Sequence, residues 1–143
     1  MEKNRINRFV QKYNLSGLIE SVKWDVEGTT LTTSFISDDK SVLGTVSTSE
    51  FDFEQGSYGV YDTTKFTKML SVLENDIDLS TTKVEGKTTS LNITDKGTSA
   101  TYMLADLSVI PVVPDLKQLP NFNVDVTIDS TFITRFNKAK GAL

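Results

Sequence analysis

One apolar stripe occurs three times in this chain, and any fold must bury or explain all three copies. Within residues 61–74, Phe66, Met69, Leu70 and Leu73 fall at i, i+3, i+4 and i+7, one face of an α-helix, with Lys65 and Lys68 on the other side. Asp62, just after a strand-like segment at 58–61, is placed to accept bonds from the free N–H groups of the first turn. Sixty positions earlier the stripe returns as Ile6, Phe9, Val10 and Tyr13, with Arg5 and Arg8 in place of the two lysines. Sixty-seven positions later Asp129, Thr131, Ile133, Thr134, Arg135 and Phe136 stand for Asp62, Thr64, Phe66, Thr67, Lys68 and Met69, preceded by alternating Val124, Val126 and Ile128. A repeat this long exceeds a solenoid period and predicts a pseudo-symmetric domain of duplicated strand-helix-strands modules, helices side by side.

Between the helices the pattern changes to period two. Val22, Trp24 and Val26, then Leu31, Thr33 and Phe35, then Val42, Gly44 and Val46 alternate, with turns at Glu27-Gly28 and residues 37–40. After the second helix Ile77 and Leu79, Leu91 and Ile93, and Ala100, Tyr102 and Leu104 do the same. The expectation is an α+β fold of two modules, each with one helix and about four strands. The sheet is antiparallel and carries both helices on one face. Pro111, Pro114 and Pro120 then mark an extended connector, because proline lacks a donor and resists a central strand. The predicted organisation is a first domain at 1–106, a connector at 107–122, and at 123–143 the strand and helix that start a second domain. No further strands follow to cover Phe132 and Phe136, so the chain is expected to stop inside that second domain.

Residue types exclude several chemistries. With 143 residues one ordinary core is the default. The chain has no cysteine and no histidine, so no disulfide framework, no thiolate or Ser-His-Asp catalysis and no His-ligated metal site can be built. The first residues are too polar for a signal peptide and no apolar run approaches membrane-spanning length, which predicts a soluble, cytoplasmic protein. The net charge of −4 argues against nucleic acid until its distribution is considered. Of 15 basic residues, nine lie in the helical segments: Lys3, Arg5, Arg8, Lys12, Lys65, Lys68, Arg135, Lys138 and Lys140. The acids there, Glu2, Asp62, Glu74 and Asp129, sit at helix ends. The helix bodies are therefore basic and the rest of the molecule acidic.

The chain resembles the DNA polymerase sliding clamps of T-even-type bacteriophages, in the family of ring-shaped processivity factors. The resemblance rests on Tyr61-Asp62, Phe66, Leu70-Ser71, Asn75-Asp76, Ser80, residues 105–109 and Lys140-Gly141. It implies a DNA-clamp-like domain, two such domains per subunit, and a homotrimer closed head to tail with its helices lining the hole. It also implies that duplex DNA passes through without sequence preference, that polymerase and clamp loader bind outside, and that the site of action is the replication fork in the infected host's cytoplasm. Two departures stand out. The first helix begins almost at Met1, leaving little room for a leading strand, and most of a second domain is missing.

Three sets of residues follow as candidate sites. Arg5, Arg8, Lys12, Lys65, Lys68, Arg135, Lys138 and Lys140 are expected to meet DNA phosphates as mobile charges, with Arg8 and Lys68 foremost because they share a repeat position. Val109, Ile110, Val112 and Val113 in the connector either border a groove for partner peptides, as the resemblance implies, or anchor the connector to the sheet. Ser99, Thr101, Tyr102 and Met103 lie on a strand that the family pattern puts at the subunit boundary, where an exposed sheet edge can pair with a neighbour. No cofactor, metal or reaction chemistry is expected. Asp76 and Asp78 form the one carboxylate pair worth weighing for an enzyme, and nothing after them completes a calcium loop. A monomeric DNA-binding processivity factor and a β-rich phage structural module are the competing readings, the second disfavoured by the basic helix faces.

Overall fold

The computed structural model describes residues 1–115, 121–124 and 126–142, in two compact units, Met1–Val113 and Pro114–Leu143. In the first, helix α1 (Lys3–Asn14) forms where the first stripe predicts it, and Ile6, Phe9, Val10 and Tyr13 are all buried. It stops because Leu15 and then Ser16 turn into the left-handed region, at φ 49° and 62°, ahead of Gly17. Asn14 accepts the Gly17 N–H at 2.9 Å and donates to the Ile19 carbonyl at 2.8 Å, which holds the turn. Helix α2 (Thr63–Ser71) starts at Asp62, whose carboxylate accepts the Lys65 N–H at 2.7 Å. A second acid, Glu20, accepts the Thr64 N–H at 2.8 Å, so two carboxylates complement this N-terminus.

Seven strands complete the unit: β1 (Val22–Glu27), β2 (Thr30–Ile36), β3 (Leu43–Thr48), β4 (Gly56–Val60), β5 (Asp78–Val84), β6 (Lys87–Thr94) and β7 (Ser99–Met103). All pairings among them are antiparallel, in two sheets ordered β3-β2-β1-β4 and β5-β6-β7. The expected module of one helix and about four strands is present, with its order now defined. The repeated unit is a leading strand, a helix and three strands, and the second copy, β4-α2-β5-β6-β7, shows it whole. In the first copy Met1 and Glu2 hold the place of the leading strand. Glu2 bridges Asp76, the Ile77 N–H donates to the Met1 carbonyl at 2.9 Å, and the Lys3 N–H donates to the Asn75 carbonyl at 2.8 Å.

Each module hands its leading strand to the other. β4 pairs with β1 from Val22↔Val60 to Val26↔Gly56, and Met1-Glu2 pairs with the residues entering β5. The two sheets meet again where the Ala105 N–H donates to the Gly59 carbonyl at 2.9 Å. Glycine is required there by proximity, since a Cβ on residue 59 would lie 2.4 Å from the Ala105 oxygen.

Trp24 on β1 fixes both helices on one face. Its ring takes Phe9 of α1 edge-on at 5.6 Å and Phe66 of α2 edge-on at 5.1 Å, and Phe66 in turn takes Tyr102 of β7 at 5.2 Å. The helices touch through the Tyr13 hydroxyl, 3.2 Å from the Thr63 hydroxyl, while Trp24 Nε1 donates to Tyr13 at 3.3 Å. Burial holds the Tyr13 phenol protonated well above its ordinary range.

In the second unit, helix α3 (Ser130–Lys140) starts at Asp129, which accepts the Phe132 N–H at 2.7 Å. Phe132 and Phe136 stack at 6.4 Å, yet no residue of α3 is buried. The strand expected from Val124, Val126 and Ile128 does not form among the described residues, and all three side chains are exposed. An extended segment without a partner ladder leaves its backbone groups to water and gains nothing over coil. The first unit runs past the expected boundary at residue 106. A single turn at Leu107–Val109, capped by Asp106, is followed by the buried Ile110.

Candidate nucleic-acid interface

The candidate surface is the outer side of α1 and α2. Helical spacing puts Arg8 and Lys68 opposite the buried stripes, and both are exposed, as are Lys12 and Lys65. Among the described residues the ion pairs are Arg5–Glu50, Lys23–Asp25 and Lys83–Glu54, so none of those four cations has an acidic partner. A row of unpaired charges on adjacent helices of one face can attract phosphates without base readout.

Arg5 stands apart from this set. Its guanidinium donates to the Ser49 and Glu50 carbonyls at 2.8 and 3.1 Å and pairs with the Glu50 carboxylate at 2.8 Å, leaving the side chain 29% exposed. It is a strut between α1 and the segment leaving β3, and the alignment of Arg5 with Lys65 gave no sign of it. Lys3 is also engaged, donating to the Leu73 carbonyl. In the second unit Arg135, Lys138 and Lys140 are exposed, but Lys140 falls four residues after Phe136 and so lies on the aromatic stripe of α3.

Two crystal structures of Pseudomonas aeruginosa proteins share the architecture. A DNA polymerase sliding clamp solved with a ligand superposes with a TM-score of 0.60 at 17% identity, covering 80% of this chain and 31% of the clamp. The DNA polymerase III subunit beta superposes with a TM-score of 0.57 at 18% identity, with the same 80% and 31% coverage. The fold is that of a sliding-clamp domain. The chain spans about a third of the length of these proteins. No protein-family model and no curated protein matches it.

Within the clamp domain the other two candidate sets divide. Val109 and Val112 are exposed and Val113 is half-buried, but Ile110 is sunk to 6% exposure. Gly59 sits beside it, where a Cβ would be 3.3 Å from Ile110 Cγ1. Ile110 anchors the connector and does not share a surface with the valines. On β7, Ser99, Thr101 and Met103 are exposed along a terminal strand of its sheet. Tyr102 is not: its ring is in the core, and its hydroxyl accepts the Asp62 N–H at 3.0 Å and donates to the Asp62 carbonyl at 3.1 Å. Burial raises its pKa.

Asp76 and Asp78 are both exposed where the chain enters β5, and among the described residues no group of three His, Cys, Asp or Glu side chains could hold a metal ion. Among those residues, too, no helix is long and apolar enough to cross a membrane. Sequence reasoning missed Glu20 and Glu50, which reach the helices from the segments flanking β1 and β3, and Thr48, which a strand pairing places beside α1. No local pattern signals such neighbours.

Proposed function

We propose that this chain is the DNA-facing part of a sliding clamp, a processivity factor that rides on duplex DNA without reading its sequence and tethers a replicative polymerase. The observation that carries the reading is the adjacency of α1 and α2 on one face of a clamp-domain fold, with Arg8, Lys12, Lys65 and Lys68 exposed and unpaired. Mobile charges on a rigid helical surface hold DNA loosely enough to slide, and the attraction falls steeply with salt. A clamp needs topology and no reacting group, in keeping with a chain that has neither cysteine nor histidine. The finer assignment is to the T-even-type phage clamps, whose full-length subunits close as homotrimers and are opened by a loader. It is supported by the residues at 61–80 and in the proline connector.

The test is fluorescence anisotropy with short labelled duplexes of unrelated sequence at low salt. We expect equal affinities for all of them, a log–log salt slope of about −0.9 for each phosphate neutralised, and loss of binding on Arg8→Glu with Lys68→Glu. Binding that survives the double reversal, or that strongly prefers one sequence, overturns the reading.

A further inference from the structure

On one side α1 runs beside the open edge of the first sheet, and the surface between them is concave. Arg5, Arg8 and Lys12 of the helix, with Ser47 and Thr48 of β3, line a groove of about 250 Å³. Thr48 lies on the helix-bearing face, like its cross-strand partner Leu31, and Ser47 reaches the groove at the edge where β3 has no further neighbour. Arg5 is already held by Glu50. Arg8 and Lys12 enter no ion pair, and the Thr48 hydroxyl no hydrogen bond, among the described residues.

Arg8 and Lys12 are one helical turn apart, so their charges converge on the same stretch of the groove. Thr48 faces them with a free hydroxyl. Two cations and a hydroxyl donor match a tetrahedral oxyanion, and the acceptors nearest Arg5, the Glu50 carboxylate and the Ser49 and Glu50 carbonyls, are already engaged by its guanidinium. The one carboxylate in the lining, Glu2, stands at the N-terminal end of the groove, roughly 9 Å from Arg8 and roughly 15 Å from Lys12 along the helix axis. We infer that this groove seats a single phosphodiester of a nucleic-acid backbone, held by Arg8 and Lys12 from α1 and by the Thr48 hydroxyl from β3. The inference rests on the DNA-facing reading of α1 and adds a direction to it: the backbone leaves the helix face over α1 toward the β3 edge, away from α2.

Two measurements on the full chain separate the seat from the wider reading. Inorganic phosphate titrated into isotope-labelled protein is expected to shift the Ser47 and Thr48 amide signals saturably, and Lys12→Gln to weaken that response about tenfold. In the anisotropy assay Thr48→Val, which keeps shape and strand propensity but removes the hydroxyl, is expected to lower duplex affinity about threefold to tenfold. Lys12→Gln is expected to reduce the salt slope by about one. If duplexes bind and the Arg8/Lys68 reversal abolishes binding, while Thr48→Val and Lys12→Gln bind like the parent, the seat is overturned and the DNA-facing reading stands. If phosphate moves Ser47 and Thr48 but no duplex binds, the nucleic-acid assignment falls and a free-phosphate site remains. Phosphate shifts spread evenly over all exposed lysines also overturn the seat.

Discussion

Helices α2 and α3 open on the same device and end in opposite surroundings. Asp62 takes the Lys65 N–H and Asp129 the Phe132 N–H, both at 2.7 Å, and an apolar stripe follows each cap. Phe66 is then fully buried, whereas Phe132 and Phe136 remain 44% and 58% exposed. The helices themselves do not explain the contrast. α2 is preceded by β4, paired along β1, and followed by three strands that bring Tyr102 over Phe66. α3 follows residues that form no strand among those described. A cap and a stripe make a helix; only a sheet makes that helix part of a core.

The largest test of this contrast removes the aromatic ring from each helix. Phe66→Ala is expected to destabilise the first unit by about 3–5 kcal/mol in urea unfolding, through lost transfer energy and the cavity between Trp24 and Tyr102. Phe132→Ala should leave the same transition within about 0.5 kcal/mol. Equal losses from the two would mean that the α3 stripe is covered in solution. Removing the caps probes the difference more gently. Asp62→Ala is expected to cost about 1 kcal/mol of global stability. Asp129→Ala should lower helix content by circular dichroism without moving the unfolding midpoint. A shift in that midpoint on Asp129→Ala would show α3 folding as one body with the rest.

The smallest effect is on pH. The Asp95 carboxylate accepts the N–H groups of Glu74, Gly97 and Thr98 at 2.7, 2.9 and 2.6 Å, which ties the end of the α2 region to the β6–β7 turn and lowers its pKa. The folded state therefore holds its proton less readily than the unfolded chain. The contribution is complete above the ordinary carboxylate range near pH 4 and is lost as pH falls through the lower folded value. Urea midpoints measured downward from about pH 5 should decline, and less steeply in Asp95→Asn. Equal slopes in the two proteins would remove Asp95 from the account.

What the sequence disclosed follows the range of the interactions. The stripes at Ile6, Phe9, Val10, Tyr13 and at Phe66, Leu70, Leu73 were legible because helical period is local, and the alternation of β1, β2 and β6 for the same reason. Trp24 as the common seat of both helices was not, since that contact depends on which strand lies beneath which helix. Val124, Val126 and Ile128 misled because alternation marks a face and carries no information about a partner strand. Arg5 and Tyr102 misled in a related way. Arg5 looks surface-directed in the repeat, and Tyr102 was assigned to the subunit boundary although it shares the apolar alternation of Ala100 and Leu104; each is claimed by a group distant in sequence, Glu50 for the first and Asp62 for the second.

The clasp at the start of the chain bears on the order in which the molecule is made. The Met1 amino group donates to the Ile77 carbonyl across 76 residues, and Glu2 bridges Asp76. A chain leaving the ribosome exposes α1 and β1 to β3 well before their last neighbours exist. β4 must still arrive to flank β1, and the N-terminus must wait for residues 76 and 77 before it can dock. Closing so long a loop costs chain entropy before the contact repays it, so this clasp is expected to form late. A nascent chain released before residue 77 would have a helix and a sheet, but no place to fasten its own beginning.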